Sequence, residues 1–158
     1  MTLALEVALG VLNGPLRTPA APLGIISFEL ARTATAATGM LASWPDAARA
    51  TARLSLLVDY LFLVAYPASL WLGCRTVAAR VQRRWPRVAS VAVAAGWAAA
   101  LAGVLDAIEN AALLVQLAQG AGDAAAAVAF WSASIKFALV LLALPLALPA
   151  LAPWRLRD

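Results

Sequence analysis

The stretch VASVAVAAGWAAALAGVLDAIENAALLVQL, residues 88–117, decides how this chain folds. Asp106 and Glu109 are its only charged residues. As a helix rising ~1.5 Å per residue it reaches about 45 Å, more than the ~30 Å hydrocarbon core of a bilayer. Two neighbouring runs, Leu54 to Cys74 and Ala124 to Leu148, are also long enough to cross. The expected class is therefore all-α: an integral membrane bundle with three spans, at about 52–76, 87–118 and 123–148, in one domain covering 1–158.

Composition agrees. The chain is 64% hydrophobic with a mean hydropathy of +0.85, far above the ~45–50% apolar share of soluble domains. Its net charge of +4 does not indicate nucleic acid, because the arginines border hydrophobic runs instead of forming one solvated stripe with aromatics. There is no histidine, and Cys74 is the single cysteine. That removes the commonest catalytic base, the usual transition-metal ligands, an internal disulfide and any CxxC pair. No cofactor or metal is expected. Eleven arginines against one lysine, with heavy alanine use, suggest a GC-rich bacterial source.

Outward from the spans, Met1 to Asn13 is apolar apart from Glu6 and is stopped by Gly14 and Pro15. It is read as a short fourth helix, about 2–20, and not as a cleaved signal peptide, since it has no basic n-region. In residues 23–44, Leu23, Ile26, Leu30, Ala37, Leu41 and Trp44 recur at helical spacing among charges and threonines, and Pro22 and Pro45 flank them. An amphipathic interfacial helix is expected there, with a true span as its rival. Arg75, Arg80, Arg83, Arg84 and Arg87 fall between two spans, whereas Gln119 to Asp123 carries no arginine. The positive-inside rule puts loop 75–87 and the C-terminus in the cytoplasm and residues 14–53 outside. Trp44, Trp85, Trp131 and Trp154 lie near span ends, as interfacial anchors do.

Charges within spans are costly, and each asks for a partner. Asp106, Glu109 and Asn110 follow i, i+3, i+4 spacing and share one helix face. The turn between the last two spans centres near Ala121, which sets Lys136 level with Asp106 and Glu109. The same mirror about a loop taken from Cys74 to Arg87 sets Asp59 opposite Ala102 or Gly103, a turn from Asp106. Ser55, Asp59, Phe62, Tyr66 and Ser69 form a polar stripe in the first long span. Three carboxylates around one ammonium leave negative charge uncompensated, so this layer is expected to hold a proton, a cation or a cationic group. The plainer alternative is a buried ionic lock that only fixes packing. Glu29 is a candidate for the same site, but with Arg32 at i+3 its simpler role is an interfacial pair.

The segment Gly24-Ile25-Ile26-Ser27-Phe28-Glu29-Leu30-Ala31, then Trp44, Asp59-Tyr60-Leu61-Phe62 with Tyr66, the D-x-x-E-N motif at 106–110 and Lys136 together resemble a group of small bacterial four-helix integral membrane proteins. The resemblance spans about Gly24 to Lys136. It implies architecture and marks these polar residues, but it implies no activity.

Three functions fit. The leading one is a binding or transport protein whose intramembrane site takes an amphipathic or lipid ligand, or a cation, through Asp59, Asp106, Glu109, Asn110, Lys136, Tyr66 and Glu29. The second is a membrane enzyme using Asp106 or Glu109 as acid or base on a lipid-borne group, although the sequence has no nucleophile elbow, histidine metal site or phosphate loop. The third is an accessory subunit, in which Gly96, Ala100 and Gly103 pack against a membrane partner or a second copy. Membrane lipids are the common partner, and nucleic acid is not one.

Overall fold

The computed structural model describes residues 1–151. Trp154, Arg155 and Arg157 lie outside the described residues. Every regular element among those described is helical: α1 (Thr2–Asn13), α2 (Ile25–Glu29), α3 (Ala34–Ser43), α4 (Asp46–Val81), α5 (Pro86–Gln119) and α6 (Asp123–Ala147). Single 3-10 turns at Gly14–Leu16 and Leu148–Leu151 extend α1 and α6. Asp46–Val81, Pro86–Gln119 and Asp123–Leu151 are long and apolar enough to cross a membrane.

The distribution of polarity is the reverse of a water-soluble bundle. Large apolar side chains point outward in stripes, such as Leu54, Leu57, Leu61 and Val64 on α4 and Leu101, Val104 and Ile108 on α5. Glu29, Asp106, Glu109, Asn110, Gln116 and Lys136 are buried. In water this would expose far more contiguous apolar surface than soluble monomers tolerate. In hydrocarbon it costs nothing.

Helices α4, α5 and α6 form the bundle, with α5 packed along both neighbours. The contact face of α5 is built from small residues: Ala92, Ala95, Gly96, Ala99, Ala102 and Gly103 are all buried. Close backbone approach takes the place of the hydrophobic effect, which is missing between helices in lipid. Gly103 shows how close. Pro67 has no N–H to donate to the Leu63 carbonyl, and a Cβ on Gly103 would stand 2.9 Å from that oxygen and 2.7 Å from the Pro67 ring. Neither neighbour is a flexible chain end, so Gly103→Ala is expected to cost about 1–3 kcal/mol through forced separation of α4 and α5. Thermal unfolding in detergent, followed by circular dichroism, measures it.

Residues 14–44 cap the end of the bundle remote from the arginine-rich turn. They do not form the single helix expected over 23–44. The chain breaks between Glu29 and Ala34, where the Thr33 hydroxyl accepts from the Ala36 N–H and starts α3 afresh. Of the residues that suggested one face, Ala37, Leu41 and Trp44 are buried while Leu23, Ile26 and Leu30 are exposed. Trp44 is an anchor of the core and not of an interface: it is 1% exposed, donates from Nε1 to the Leu16 carbonyl at 2.8 Å and meets Phe28 edge-on. Trp85 and Trp131 are half exposed. Arg49 donates to the Leu41 and Trp44 carbonyls, and Arg53 to the Leu117 carbonyl, so two of the four arginines in residues 14–53 close helix C-termini.

The first helix ends at Asn13, earlier than residue 20, because Gly14 and Pro15 tighten the chain into a 3-10 turn. It packs along α4, with Thr2 Oγ1 3.1 Å from Ser69 Oγ, and makes little contact with α6. Asn13 fixes its other end. The side chain donates from Nδ2 to the Leu23 carbonyl and accepts the Ile25 N–H at Oδ1, clasping α1 to the start of α2.

Candidate functional site

Four elements bring five charged side chains together. Lys136, from the middle of α6, places Nζ 2.8 Å from Asp106 Oδ1 and 2.8 Å from Glu109 Oε2, both on α5, and 3.9 Å from Glu29 Oε2 on α2. One turn separates Asp106 from Asn110, whose Nδ2 donates to Asp59 Oδ2 on α4 at 2.7 Å. The short connection at residues 120–122 fixes the heights of α5 and α6, which is why Lys136 meets both carboxylates at once.

The position of Asp59 departs from the expected register. It faces Asn110, and the neighbouring Tyr60 hydroxyl reaches the Ala107 carbonyl at 3.4 Å, whereas Gly103 lies against Leu63 and Pro67. Asp59 therefore stands about two turns further along α5 than its expected partners Ala102 and Gly103. Helix α4 does not stop at Cys74 but runs on to Val81, and the turn occupies only residues 82–85, so the true mirror point lies further along the chain.

Glu29 does not pair with Arg32. Its carboxyl faces Glu109 and Lys136, while Arg32 lies over the rings of Phe130 and Trp131 at 5.8 and 5.9 Å. The break after Glu29 turns the two side chains in opposite directions. The site thus has four carboxylates, one more than the three expected, around a single ammonium.

A cavity of about 520 Å3 adjoins this cluster. Glu29, Asp59, Asp106, Asn110 and Lys136 line one end, and Leu70, Phe137, Val140 and Leu144 line much of the rest. All five residues of the α4 polar stripe, Ser55, Asp59, Phe62, Tyr66 and Ser69, face it. Glu109 does not line it. That residue is fully buried behind Lys136, and its Oε1 has no hydrogen-bond partner. The Tyr66 hydroxyl also lacks one, although the residue is only 8% exposed and faces Asp106.

Nothing in the spacing of residues singles out Asn13, Glu6, Phe137 or Gln116. The first three line the cavity, and Gln116 is a buried amide of α5 with neither polar atom partnered. An amide closing an apolar run ahead of Gly-Pro was the one readable signal for Asn13. Among the described residues no group of three or more His, Cys, Asp or Glu side chains is arranged to hold a metal ion. Mixed acceptors, one ammonium and an apolar tail end suit a ligand with a polar head and a hydrocarbon body. Compared with models of known protein families, with curated proteins and with solved structures, the chain matches none.

Proposed function

We propose that this chain is a multi-pass protein of a bacterial inner membrane that binds or transports an amphipathic ligand in an intramembrane cavity. The arginine-rich turn and the C-terminus face the cytoplasm, and residues 14–44 form the extracytoplasmic interfacial layer over the site. The observation that carries this reading is the cavity itself. A space of about 520 Å3, within the ~300–1,000 Å3 usual for ligand pockets, is lined by Glu29, Asp59, Asp106 and Lys136 together with apolar side chains such as Leu70, Val140 and Leu144. Asp59 and Asp106 form its anionic wall, with Glu29 above them. Lys136 holds Asp106 in place.

Native mass spectrometry of the protein released from nanodiscs tests this. Wild type is expected to retain a chain-bearing amphiphile. Val140→Trp fills the tail end and is expected to release it, and Asp59→Asn to lower its occupancy about tenfold, the ~1.4 kcal/mol typical of one charged contact. Equal retention by all three proteins would overturn the reading.

Glu109 favours a second role for part of the cluster. Fully buried, away from the cavity and 2.8 Å from Lys136, it acts as an ionic lock between α5 and α6. Binding and locking thus divide between the two sides of one lysine.

A further inference from the structure

The cavity's shape, charge and open side narrow the class of ligand, on the premise that it binds an amphiphile at all. We infer that the occupant is a single hydrocarbon chain ending in a primary ammonium, and that it arrives sideways from the lipid between α1 and α6, past Glu6.

Charge comes first. The lining carries four carboxylates, Glu6, Glu29, Asp59 and Asp106, and one cation, Lys136, whose Nζ is already 2.8 Å from both Asp106 and Glu109. A phosphate or carboxylate head would meet acceptors and like charge. An ammonium offers three donors and no acceptor, and the wall has matching vacancies. Among the described residues only Asn110 donates to Asp59, Lys136 engages one oxygen of Asp106, and the buried Tyr66 hydroxyl is unpartnered. The tilted ring pair of Phe62 and Tyr66, 5.1 Å between centroids, lines the same space, and aromatic rings can attract a cation.

Shape comes next. The stripe from Ser55 to Ser69 runs about 21 Å along α4 at ~1.5 Å per residue. Spreading 520 Å3 over that length leaves a cross-section of about 25 Å2. One extended chain fits along a space of that length.

Access follows from the packing of α1. This helix lies on α4 and scarcely touches α6, yet Leu9 and Gly10 line the cavity together with Phe137, Val140 and Leu144. Towards the arginine end Gly73 packs closely on Ala147, and Ile25, Ile26 and Glu29 of α2 line the opposite end. The α1–α6 seam is the side left open. Glu6 stands there, exposed, on a helix whose other exposed faces are Leu3, Val7 and Val11, with no ion pair among the described residues. A carboxylate at that depth asks for a cationic partner, and an arriving ammonium supplies it.

The test uses the full chain in phosphatidylcholine nanodiscs with four probes: dodecylamine, dodecanol, laurate and lysophosphatidylethanolamine. Dodecylamine is expected to bind at least tenfold more tightly than the other three. Tyr66→Phe, which removes the hydroxyl facing Asp106, should weaken dodecylamine several-fold and dodecanol less. Glu6→Gln should slow dodecylamine association several-fold. Dodecanol or laurate binding as tightly as the amine would overturn the ammonium assignment while leaving the cavity an amphiphile site. Tighter binding of lysophosphatidylethanolamine would overturn it in favour of a phosphate-bearing head. Unchanged association in Glu6→Gln would overturn the lateral route. If no probe binds, the parent reading fails as well.

Discussion

Lys136→Met is expected to destabilise the bundle by about 3–5 kcal/mol, the usual cost of stripping one partner from a buried ion pair. The substitution keeps an unbranched chain of nearly the same length and removes the ammonium with its charge and its donors. It leaves Asp106 and Glu109 without the cation 2.8 Å away, and Glu29 without the one at 3.9 Å. Glu109 suffers most, because it is fully buried and Lys136 is the only cation paired with its carboxylate among the described residues. Water cannot take over that role without opening the α5–α6 seam, where Ala126, Ala129 and Ala133 pack with no exposed surface. Reversible unfolding in mixed micelles measures the loss. Adding Asp106→Asn and Glu109→Gln to Lys136→Met should restore most of it, since the two carboxylates 2.8 Å from the ammonium are then neutralised along with it. A triple variant as unstable as the single one would mean that Lys136 acts through its packing.

The contrast between Glu109 and Asp59 shows what a sequence reveals about such a site. Lys136 was legible as the partner of Asp106 and Glu109 because α5 and α6 meet in a tight turn, and heights measured from a short turn are reliable. Asp59 was legible as a member but not in register. Its height depends on where α4 ends, and hydropathy ends a helix at the first arginines although the backbone continues through Arg75 and Arg80 to Val81. The three long helices were readable because burial in lipid requires unbroken apolar runs. The cap was not, because Trp44, Phe28 and Leu16 make its core through contacts between distant segments, and no local period encodes those. Glu29 illustrates the same limit. At i+3 from Arg32 it has the spacing of a helical pair, and only the break before Ala34 sends it inward.

The entry into α2 that carries Glu29 depends on Gly24, and Gly24→Ala is the second substitution expected to act strongly. Gly24 adopts φ 66°, ψ −124°, a region open essentially to glycine alone. A Cβ there would also run into Oδ1 of Asn13 and lie 2.8 Å from its Cγ. Alanine therefore strains the backbone, at about 1–3 kcal/mol, and expels the amide that holds Leu23 and Ile25, at ~0.5–1.5 kcal/mol for each hydrogen bond lost. A total near 3 kcal/mol is expected in thermal unfolding. The local consequence reaches the site, because α2 has only about one turn between the clasp at Ile25 and Glu29. With the clasp open, Glu29 withdraws from Lys136 and the cavity loses its roof. A double-mutant cycle separates the two causes. Asn13→Ala alone should cost about 1–2 kcal/mol, and adding Gly24→Ala to it should cost only the strain, because the collision is already relieved. Full additivity would show that the clasp contributes nothing to the glycine requirement and that backbone conformation alone sets it.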